Sequence, residues 1–346
     1  MTVQSIAYVE FQVEDAHKSG AALAQDYGFA LLPLDLPHRP GVEAVLARQG
    51  GIRLLLVSAV DPGHPVADFV RRHGDGVAVI ALRCADPAAA LERAVAGGAR
   101  RLADPGAIAG FGDIALSLVD DADPVLRAEE PGPDPESTRA DPAGEPAGAL
   151  LHTLDHVAIC LPGGELAGAV AFAERALGLA VTFREYIEVG DQAMDSRVVR
   201  DASGRVTFTL LEPDLRRSPG QIDGFLQAHG GAGVQHLAFE TADIARAVRE
   251  LGRGGVEFLS TPATYYEQLT DRIEEFGIPV ETLRELDVLV DEDHGGQLFQ
   301  IFTRSVHPRR TFFLELVERR GAGSFGSANI KALYEAVERQ RAAGRA

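Results

Sequence analysis

Four stretches of the chain have the clustered or alternating apolar residues of β-strands, and a helical pattern follows each of them. The strand patterns are IAYVEFQV (6–13), GVAVIALRCAD (76–86), LDHVAICL (154–161) and GVQHLAFETAD (233–243). Each predicted helix ends near a glycine, which suits a left-handed C-cap. These glycines are Gly28, Gly97, Gly178 and Gly255. Further strand-like sequence follows each glycine, so the pattern predicts four βαβββ units of about 75–80 residues each.

The segment 121–149 interrupts this repeat. It reads DADPVLRAEEPGPDPESTRADPAGEPAGA, which is rich in Pro, Gly and acidic residues and has few large apolar ones. Such a composition is typical of a linker. We therefore predict an N-terminal domain over 1–120, a linker over 121–149 and a C-terminal domain over 150–346, with two units in each domain.

Composition and charge exclude several classes of protein. The net charge of −18 argues against a nucleic-acid partner, which would require a basic face. The sequence has no apolar run long enough to span a bilayer, and its N-terminus lacks the pattern of a secretory signal. Cys84 and Cys160 are too few for a disulfide framework and fit a reducing cytosol. We expect a cytoplasmic protein without nucleic-acid or membrane partners.

Three polar residues interrupt apolar strand patterns in the C-terminal half. They are His156 in LDHVAIC, His236 in GVQHLAFE and Glu315 in TFFLELVE. Consecutive members lie about one unit apart, and equivalent positions of paired units approach one another when those units form one barrel. Their counterparts in the N-terminal half, from alignment of the repeats, are Tyr8, Val79 and Ser117. The C-terminal barrel is therefore predicted to carry a cluster that the N-terminal barrel lacks.

Two imidazoles and one carboxylate form the facial donor set of non-haem Fe(II) oxygenases. A lone buried glutamate is costly without a partner, and a dication is such a partner. A single strand histidine is more often a core residue bonded to a neighbour. The three positions together nevertheless favour a metal site. The other histidines stand in polar or turn-like sequence, where solvated surface is expected: His17, His38, His64, His73, His152, His229, His294 and His307.

From residue 150 onward the sequence resembles the 4-hydroxyphenylpyruvate dioxygenase family. The matching motifs are QIFT (300–303), FF-x-E (312–315), R-x-G-x-x-x-FG (319–326) and N-x-KALYEA (329–336). GAGVQHLAF and DHVAICL resemble the two histidine-bearing strands of the family. The resemblance extends more loosely through the N-terminal half. It implies the α+β vicinal-oxygen-chelate fold, in which four βαβββ units pair into two open β-barrels and a C-terminal helix forms a lid over the active site.

The resemblance also implies an activity. Fe(II) would be the cofactor, with His156, His236 and Glu315 as its ligands, and 4-hydroxyphenylpyruvate and O2 would be the substrates. Family members release CO2 from this substrate by oxidative decarboxylation and hydroxylate the remainder, with no separate 2-oxoglutarate. Hydroxylation of the ring gives homogentisate, and hydroxylation of the benzylic carbon gives 4-hydroxymandelate. The chemistry is centred on the metal, so we assign no separate protein acid or base.

Several further residues match polar or aromatic pocket positions of the family. The polar residues are Ser196, Gln221, Gln235 and Gln300, and the aromatic residues are Phe302 and Phe313. Gln300 and Phe302 share one strand face by alternation, as do Phe313 and Glu315. Structural packing alone would account for the two phenylalanines about as well as a place in the pocket wall.

Four positions depart from the homogentisate-forming pattern. Thr209 and Leu211 stand where those enzymes have Pro and Asn, and Ile330 and Tyr334 stand where they have Phe. Without the Asn amide at position 211, the substrate ring would lose a hydrogen-bonding partner. Without the Phe side chain at position 330, there would be more space beside that ring. We hypothesise that the substrate then tilts its benzylic C–H towards the metal. The product would be 4-hydroxymandelate, and the resemblance implies that it would feed hydroxyphenylglycine for a peptide antibiotic.

Three alternatives remain open from the sequence. A homogentisate-forming dioxygenase is the nearest one, and tyrosine breakdown would then be its context. A non-catalytic binding protein of the same fold would not need the three metal-capable residues. Extradiol cleavage of a catechol uses the same ligand types, but the QIFT strand and the C-terminal helix argue against it. The sequence also leaves open whether the chain forms a homodimer.

Overall fold

The computed structural model describes residues 3–128, 149–267, 269, 273, 275, 277–326, 329 and 331. The strands of the N-terminal half are β1 (Val3–Gln12), β2 (Ala30–Pro33), β3 (Val42–Gln49), β4 (Ile52–Ala59), β5 (Gly76–Cys84), β6 (Ala107–Ala109) and β7 (Ala115–Val119). Its helices are α1 (Ala16–Tyr27), α2 (Pro65–His73), α3 (Pro87–Ala96) and α4 (Pro124–Arg127).

The C-terminal half repeats this order. Its strands are β8 (Thr153–Cys160), β9 (Ala180–Val189), β10 (Gln192–Arg200), β11 (Thr207–Pro213), β12 (Gly233–Glu240), β13 (Leu289–Asp293), β14 (Gly296–Phe302) and β15 (Phe313–Arg320). Its helices are α5 (Leu166–Phe172), which a π-helical turn (Ala173–Leu177) extends, α6 (Gln221–His229), α7 (Ile244–Gly254), α8 (Ala263–Glu267) and α9 (Val280–Glu285).

Helix α7 illustrates how the sequence forms these elements. The side chain of Asp243 accepts a hydrogen bond from the amide of Arg246 and caps the helix start. Gly255 ends the helix in the left-handed region, with φ of 109°. The residues that α7 buries recur at helical spacing along one face: Ile244, Ala247, Val248 and Leu251.

Each half forms one curved sheet, and the two strand orders correspond. Within the described residues the N-terminal order is β2-β3-β4-β1-β5-β7-β6. Read in the same direction, the C-terminal order is β9-β10-β11-β8-β12-β15-β14-β13, which has one more strand at its end. In both halves the first strands of the two units pair antiparallel, β1 with β5 and β8 with β12. Two βαβββ units therefore form the eight-stranded C-terminal sheet, as the repeat predicts. In the described part of the seven-stranded N-terminal sheet, two strands rather than three follow α3, namely β6 and β7.

The strand registers confirm the alignment of the repeats. In the C-terminal sheet Ala238 pairs with His156 on one side and with Glu315 on the other. In the N-terminal sheet Ala81 pairs in the same way with Tyr8 and Ser117. The row that contains His156 and Glu315 thus has a counterpart in the N-terminal sheet that contains Tyr8, Ala81 and Ser117.

Two further details differ from the sequence predictions. Gly97 is right-handed, with φ of −76°, and the next residue, Gly98, adopts the left-handed conformation instead. Helix α4 lies within the predicted linker because Val125 is buried against the N-terminal core, while residues 129–148 lie outside the described residues. The other three glycines predicted as left-handed caps have positive φ angles: Gly28, Gly178 and Gly255.

The prediction of solvated surface was wrong for His73 and His229. Both are buried where α2 of one half meets α6 of the other, and their rings stack with centroids 4.5 Å apart. The two halves share one core, as the edge-to-face pair of Phe11 and Phe312 shows. A contact between the two halves leaves no periodic pattern in the sequence. The polar residues around His73 and His229 therefore indicated surface positions for two histidines that are buried.

Candidate metal centre

Three strands of the C-terminal sheet bring the predicted ligands together. β12 lies between β15 and β8, and Ala238 in its middle pairs with both Glu315 and His156. His236 lies two residues before Ala238, so its side chain emerges from the same face. His236 pairs with Ala158 of β8, and Ala158 pairs in turn with Thr209 of β11, so these three residues form a second cross-strand row.

The two alanines form the floor of the site. Ala158 and Ala238 are fully buried, and their methyl groups leave the space above the sheet to the longer side chains around them. Neighbouring strands are about 4.8 Å apart, so a histidine and a glutamate on either side of an alanine can meet above it. The sequence builds the site by placing long polar residues around small apolar ones.

The donor atoms converge in the way that a metal site requires. The Nε2 atoms of His156 and His236 each lie 3.3 Å from Oε2 of Glu315. One ligand atom from each of the three residues lies within 4.8 Å of the others. All three side chains are buried. This set of two nitrogens and one oxygen on one side of a buried point suits a first-row transition metal with open positions opposite.

The charges of the three groups depend on one another. Burial acts to raise the pKa of Glu315, but the two imidazoles outweigh it and lower this pKa to about 2. Burial also acts to lower the pKa of His156, and the carboxylates of Glu315 and Asp155 raise it to about 9. Burial dominates for His236 and lowers its pKa. The carboxylate is therefore ionised and available to a cation.

A buried ion pair orients His156 from behind. The Nδ1 atom of His156 lies 2.8 Å from Oδ1 of Asp155, and the guanidinium of Arg319 donates two hydrogen bonds to the same carboxylate. Burial acts to raise the pKa of Asp155, but Arg319 and His156 hold it well below its usual range. A carboxylate behind a ligand histidine fixes the ring orientation and raises its basicity. Asp155 thus directs Nε2 of His156 into the site.

The other two predicted ligands are held differently. The side-chain amide of Gln300 donates a hydrogen bond of 2.7 Å to Oε1 of Glu315, which leaves Oε2 facing the histidines. The ring of His236 stacks on Phe313 with centroids 4.9 Å apart. Within the described residues, Nδ1 of His236 has no hydrogen-bond partner. Packing rather than hydrogen bonding therefore orients this ring.

A cavity opens above the three ligands, and most of the predicted pocket residues line it. These are Thr209, Leu211, Gln221, Gln235, Gln300, Phe302 and Phe313. Ser196 is buried beside Leu211 on the neighbouring strand but does not line the cavity. Ile330 and Tyr334 lie outside the described residues, as does most of the predicted lid helix.

Sequence reasoning missed three residues of the cavity wall: Met194, Ile222 and Phe325. Met194 shares a strand face with Ser196, and Ile222 follows Gln221, so alternation and adjacency could have indicated both. Phe325 belongs to the R-x-G-x-x-x-FG motif, and its ring lies edge-on to His156 with centroids 5.3 Å apart. The guanidinium of Arg319 lies 5.1 Å from the centre of the same ring.

Comparisons with known proteins agree with this geometry. A family model described as "Hydroxyphenylpyruvate dioxygenase, HPPD, N-terminal" matches residues 1–124. A second, described as "Glyoxalase/Bleomycin resistance protein/Dioxygenase superfamily", matches residues 153–301. The superfamily match confirms the predicted vicinal-oxygen-chelate fold.

Individual relatives cover most of the chain. The 4-hydroxyphenylpyruvate dioxygenase of Yarrowia lipolytica is 30% identical over 322 residues, which are 85% of this chain and 80% of that protein. The enzyme of the same name from Aspergillus fumigatus is 31% identical over 297 residues, which are 79% of this chain and 72% of that protein. Among solved structures, a mutant of 4-hydroxymandelate synthase from Streptomyces coelicolor is 43% identical with a TM-score of 0.85, and the match covers 98% of this chain and 100% of that one. Among the described residues, no helix is long and apolar enough to cross a membrane.

Proposed function

This chain belongs to the 4-hydroxyphenylpyruvate dioxygenase family, and we propose that it converts 4-hydroxyphenylpyruvate and O2 into 4-hydroxymandelate and CO2. The observation that carries the proposal is the buried set of His156, His236 and Glu315 beneath a cavity with an apolar wall. The 43% identity to a 4-hydroxymandelate synthase favours the benzylic over the ring product.

The same three residues would hold Fe(II). The donor set fits this metal, since two imidazoles and one carboxylate leave positions open for a chelating substrate and O2. When bound, the iron supplies the redox chemistry that couples oxidative loss of CO2 to hydroxylation. The protein contributes a fixed set of donors, with His156 oriented by Asp155 and Glu315 oriented by Gln300.

The cavity wall would orient the substrate ring. Leu211 packs in one apolar cluster with Met194 and Ile222, and all three side chains line the cavity. The hydroxyl of Thr209 is buried in the same wall and has no hydrogen-bond partner among the described residues. A buried hydroxyl without a partner is costly, so it suits the phenol oxygen of the substrate. The ring would then lie along Leu211 with its benzylic carbon towards the metal.

Aromatic side chains would exclude water from the reacting atoms. Phe302, Phe313 and Phe325 line the cavity around the ligands, and the rings of Phe313 and Phe325 contact the two histidines directly. A dry site protects reactive species from unproductive side reactions. The N-terminal barrel, with Tyr8, Val79 and Ser117 at the ligand positions, would have a structural role.

Product analysis tests the proposal. The Fe(II)-loaded protein would be incubated with 4-hydroxyphenylpyruvate and O2, and the products would be separated against both standards. We expect 4-hydroxymandelate as the main product and none from a His236→Ala variant. Homogentisate as the main product would overturn the assignment of the benzylic carbon but not the metal site. Bound iron without turnover would overturn the choice of substrate.

A further inference from the structure

We propose that Tyr265 and Asn329 are positioning residues, which hold the carboxylate of Glu315 in a one-oxygen binding mode through Gln300. The inference rests on the proposed function in taking Glu315 as a metal ligand. It goes further because it assigns a task to two residues that do not line the cavity. It follows from a continuous chain of hydrogen bonds that joins them to the ligand.

The first two links are amide hydrogen bonds. The NH2 group of Gln300 donates to Oε1 of Glu315 over 2.7 Å. The NH2 group of Asn329 donates in turn to the side-chain oxygen of Gln300 over 2.8 Å. Gln300, Asn329 and Glu315 are each at most 2% exposed, so water cannot replace a lost partner.

The next two links continue in the same direction. The hydroxyl of Tyr265 lies 2.8 Å from the side-chain oxygen of Asn329 and 2.8 Å from the backbone carbonyl oxygen of Val290, and its single proton is donated to one of these two acceptors at a time. The backbone N–H of Val290 donates to the oxygen of Tyr265 over 2.9 Å. When the Tyr265 hydroxyl donates to Asn329, every donor in the chain points towards Glu315. Hydrogen bonds that run in one direction polarise one another, and such a chain ends naturally at an anion.

The backbone at Gly326 makes room for the amide pair. Its φ of 70° lies in the left-handed region, and a Cβ atom there would lie 2.5 Å from the side-chain oxygen of Gln300 and 3.0 Å from Nδ2 of Asn329. A side chain at this position would separate the two amides. The final glycine of the R-x-G-x-x-x-FG motif, Gly326, is therefore required for the hydrogen bond between Asn329 and Gln300 to form.

The consequence concerns the two oxygens of Glu315. Oε1 accepts from Gln300, while Oε2 is the oxygen that lies 3.3 Å from Nε2 of both histidines. The chain therefore reserves one oxygen for the metal and prevents the other from rotating towards it. A carboxylate released from the chain could bind through both oxygens and occupy a position that the substrate or O2 requires.

The test uses Co(II) as a spectroscopic probe of the full chain, with Tyr265→Phe as the variant. Tyr266→Phe is the matched control, because Tyr266 is the adjacent buried tyrosine and its hydroxyl belongs to no link of the chain. We expect Tyr265→Phe to weaken Co(II) binding roughly three- to tenfold, which is less than the 10- to 100-fold typical of a direct outer partner. We also expect its visible Co(II) absorption to weaken, because absorption falls as the coordination number rises. The control should match the wild type in both readouts.

Two further measurements separate positioning from a general loss of structure. An Asn329→Ala variant should give the same Co(II) spectrum as Tyr265→Phe, and the double variant should be no worse than Asn329→Ala alone, because one broken link already interrupts the chain. With Fe(II) and 4-hydroxyphenylpyruvate, Tyr265→Phe should release more CO2 per hydroxylated product than the wild type. Tm values of all variants would be recorded beside these readouts.

The outcomes distinguish this inference from the proposed function. A wild type that binds metal and forms 4-hydroxymandelate, together with a Tyr265→Phe variant of unchanged Co(II) spectrum and affinity, would overturn the inference alone. Equal changes in Tyr265→Phe and Tyr266→Phe would also overturn it, since they would reflect packing. A wild-type protein that binds neither Co(II) nor Fe(II) would overturn both the proposed function and this inference.

Discussion

His156 and Glu315 lie in one cross-strand row, separated only by Ala238, with which both of them pair. This relationship explains why ligands that are distant in sequence converge. The first strands of two units pair antiparallel, the last strand of the second unit joins in parallel, and the same face of all three strands bounds the cavity. The small residue in the middle is as much a part of the site as the ligands.

We therefore predict that Ala238→Val reduces metal affinity by at least about tenfold, because the added methyl groups occupy the space above the sheet where the ligands meet. Isothermal titration with Co(II) would measure the change. Ala81→Val is the matched control, since Ala81 holds the equivalent place between Tyr8 and Ser117 and is equally buried. Equal metal affinities in the two variants would contradict the prediction.

The carboxylate behind His156 gives a second prediction. Asp155→Asn keeps the shape of the side chain but removes the charge that pairs with Arg319 and orients the histidine. We expect metal affinity to fall roughly 10- to 100-fold. The free energy of unfolding should fall by about 3–5 kcal/mol, because a buried guanidinium loses its partner. Metal titration and urea unfolding would measure the two effects.

Asp195→Asn is the comparison for that variant. Asp195 pairs with Arg197 on β10, but the side chains of this pair are 30% and 24% exposed. A partly exposed ion pair contributes about 0–1 kcal/mol, so this variant should stay near the wild type in stability and metal affinity. A similar loss in both variants would mean that Asp155 has no particular connection with the metal.

The choice of product should depend on Leu211. In a Leu211→Asn variant an amide would face the substrate ring in place of an apolar side chain, and we expect the fraction of homogentisate to rise at the expense of 4-hydroxymandelate. Chromatography of the products measures this fraction. Leu211→Met, which conserves volume and polarity, should leave it unchanged. An unaltered product ratio in Leu211→Asn would remove Leu211 from the account of specificity.

His229 should make stability depend on pH. Burial, with help from His73 and Arg309, lowers the pKa of His229 from 6.5 to about 4, although the hydrogen bond with the backbone of Gly231 and the carboxylate of Asp113 act in the opposite direction. Between these two pH values the unfolded chain binds a proton that the folded chain does not bind. Stability is therefore expected to fall as pH falls through this window, by up to about 1.4 kcal/mol per pH unit.

Urea unfolding between pH 7 and pH 4 would measure that dependence. A His229→Gln variant lacks the titrating group, so its stability should vary less with pH over the same window. Parallel pH profiles for the two proteins would show that other groups cause the loss of stability in acid.

The sequence indicates the three candidate ligands because each is a polar residue in an apolar strand, and the repeat relates their positions. It also indicates most of the cavity wall through the resemblance to the family, while alternation places Gln300 with Phe302 and Phe313 with Glu315 on shared strand faces. It could not indicate the stacked pair His73 and His229, because that contact joins two halves of the chain and leaves no periodic signal. Nor could it indicate the Asn329–Gln300 link, because side-chain hydrogen bonds depend on distances that only the fold defines.

The central claim is that Fe(II) sits among His156, His236 and Glu315 and that the substrate presents its benzylic carbon to it. Anaerobic crystals grown with Fe(II) and 4-hydroxyphenylpyruvate would test both parts in one diffraction measurement at the iron absorption edge. We predict an anomalous peak in contact with the two Nε2 atoms and Oε2 of Glu315, with the benzylic carbon of the substrate nearer than its ring to the remaining open position. A peak elsewhere, or a ring carbon nearer to that position, would contradict the account.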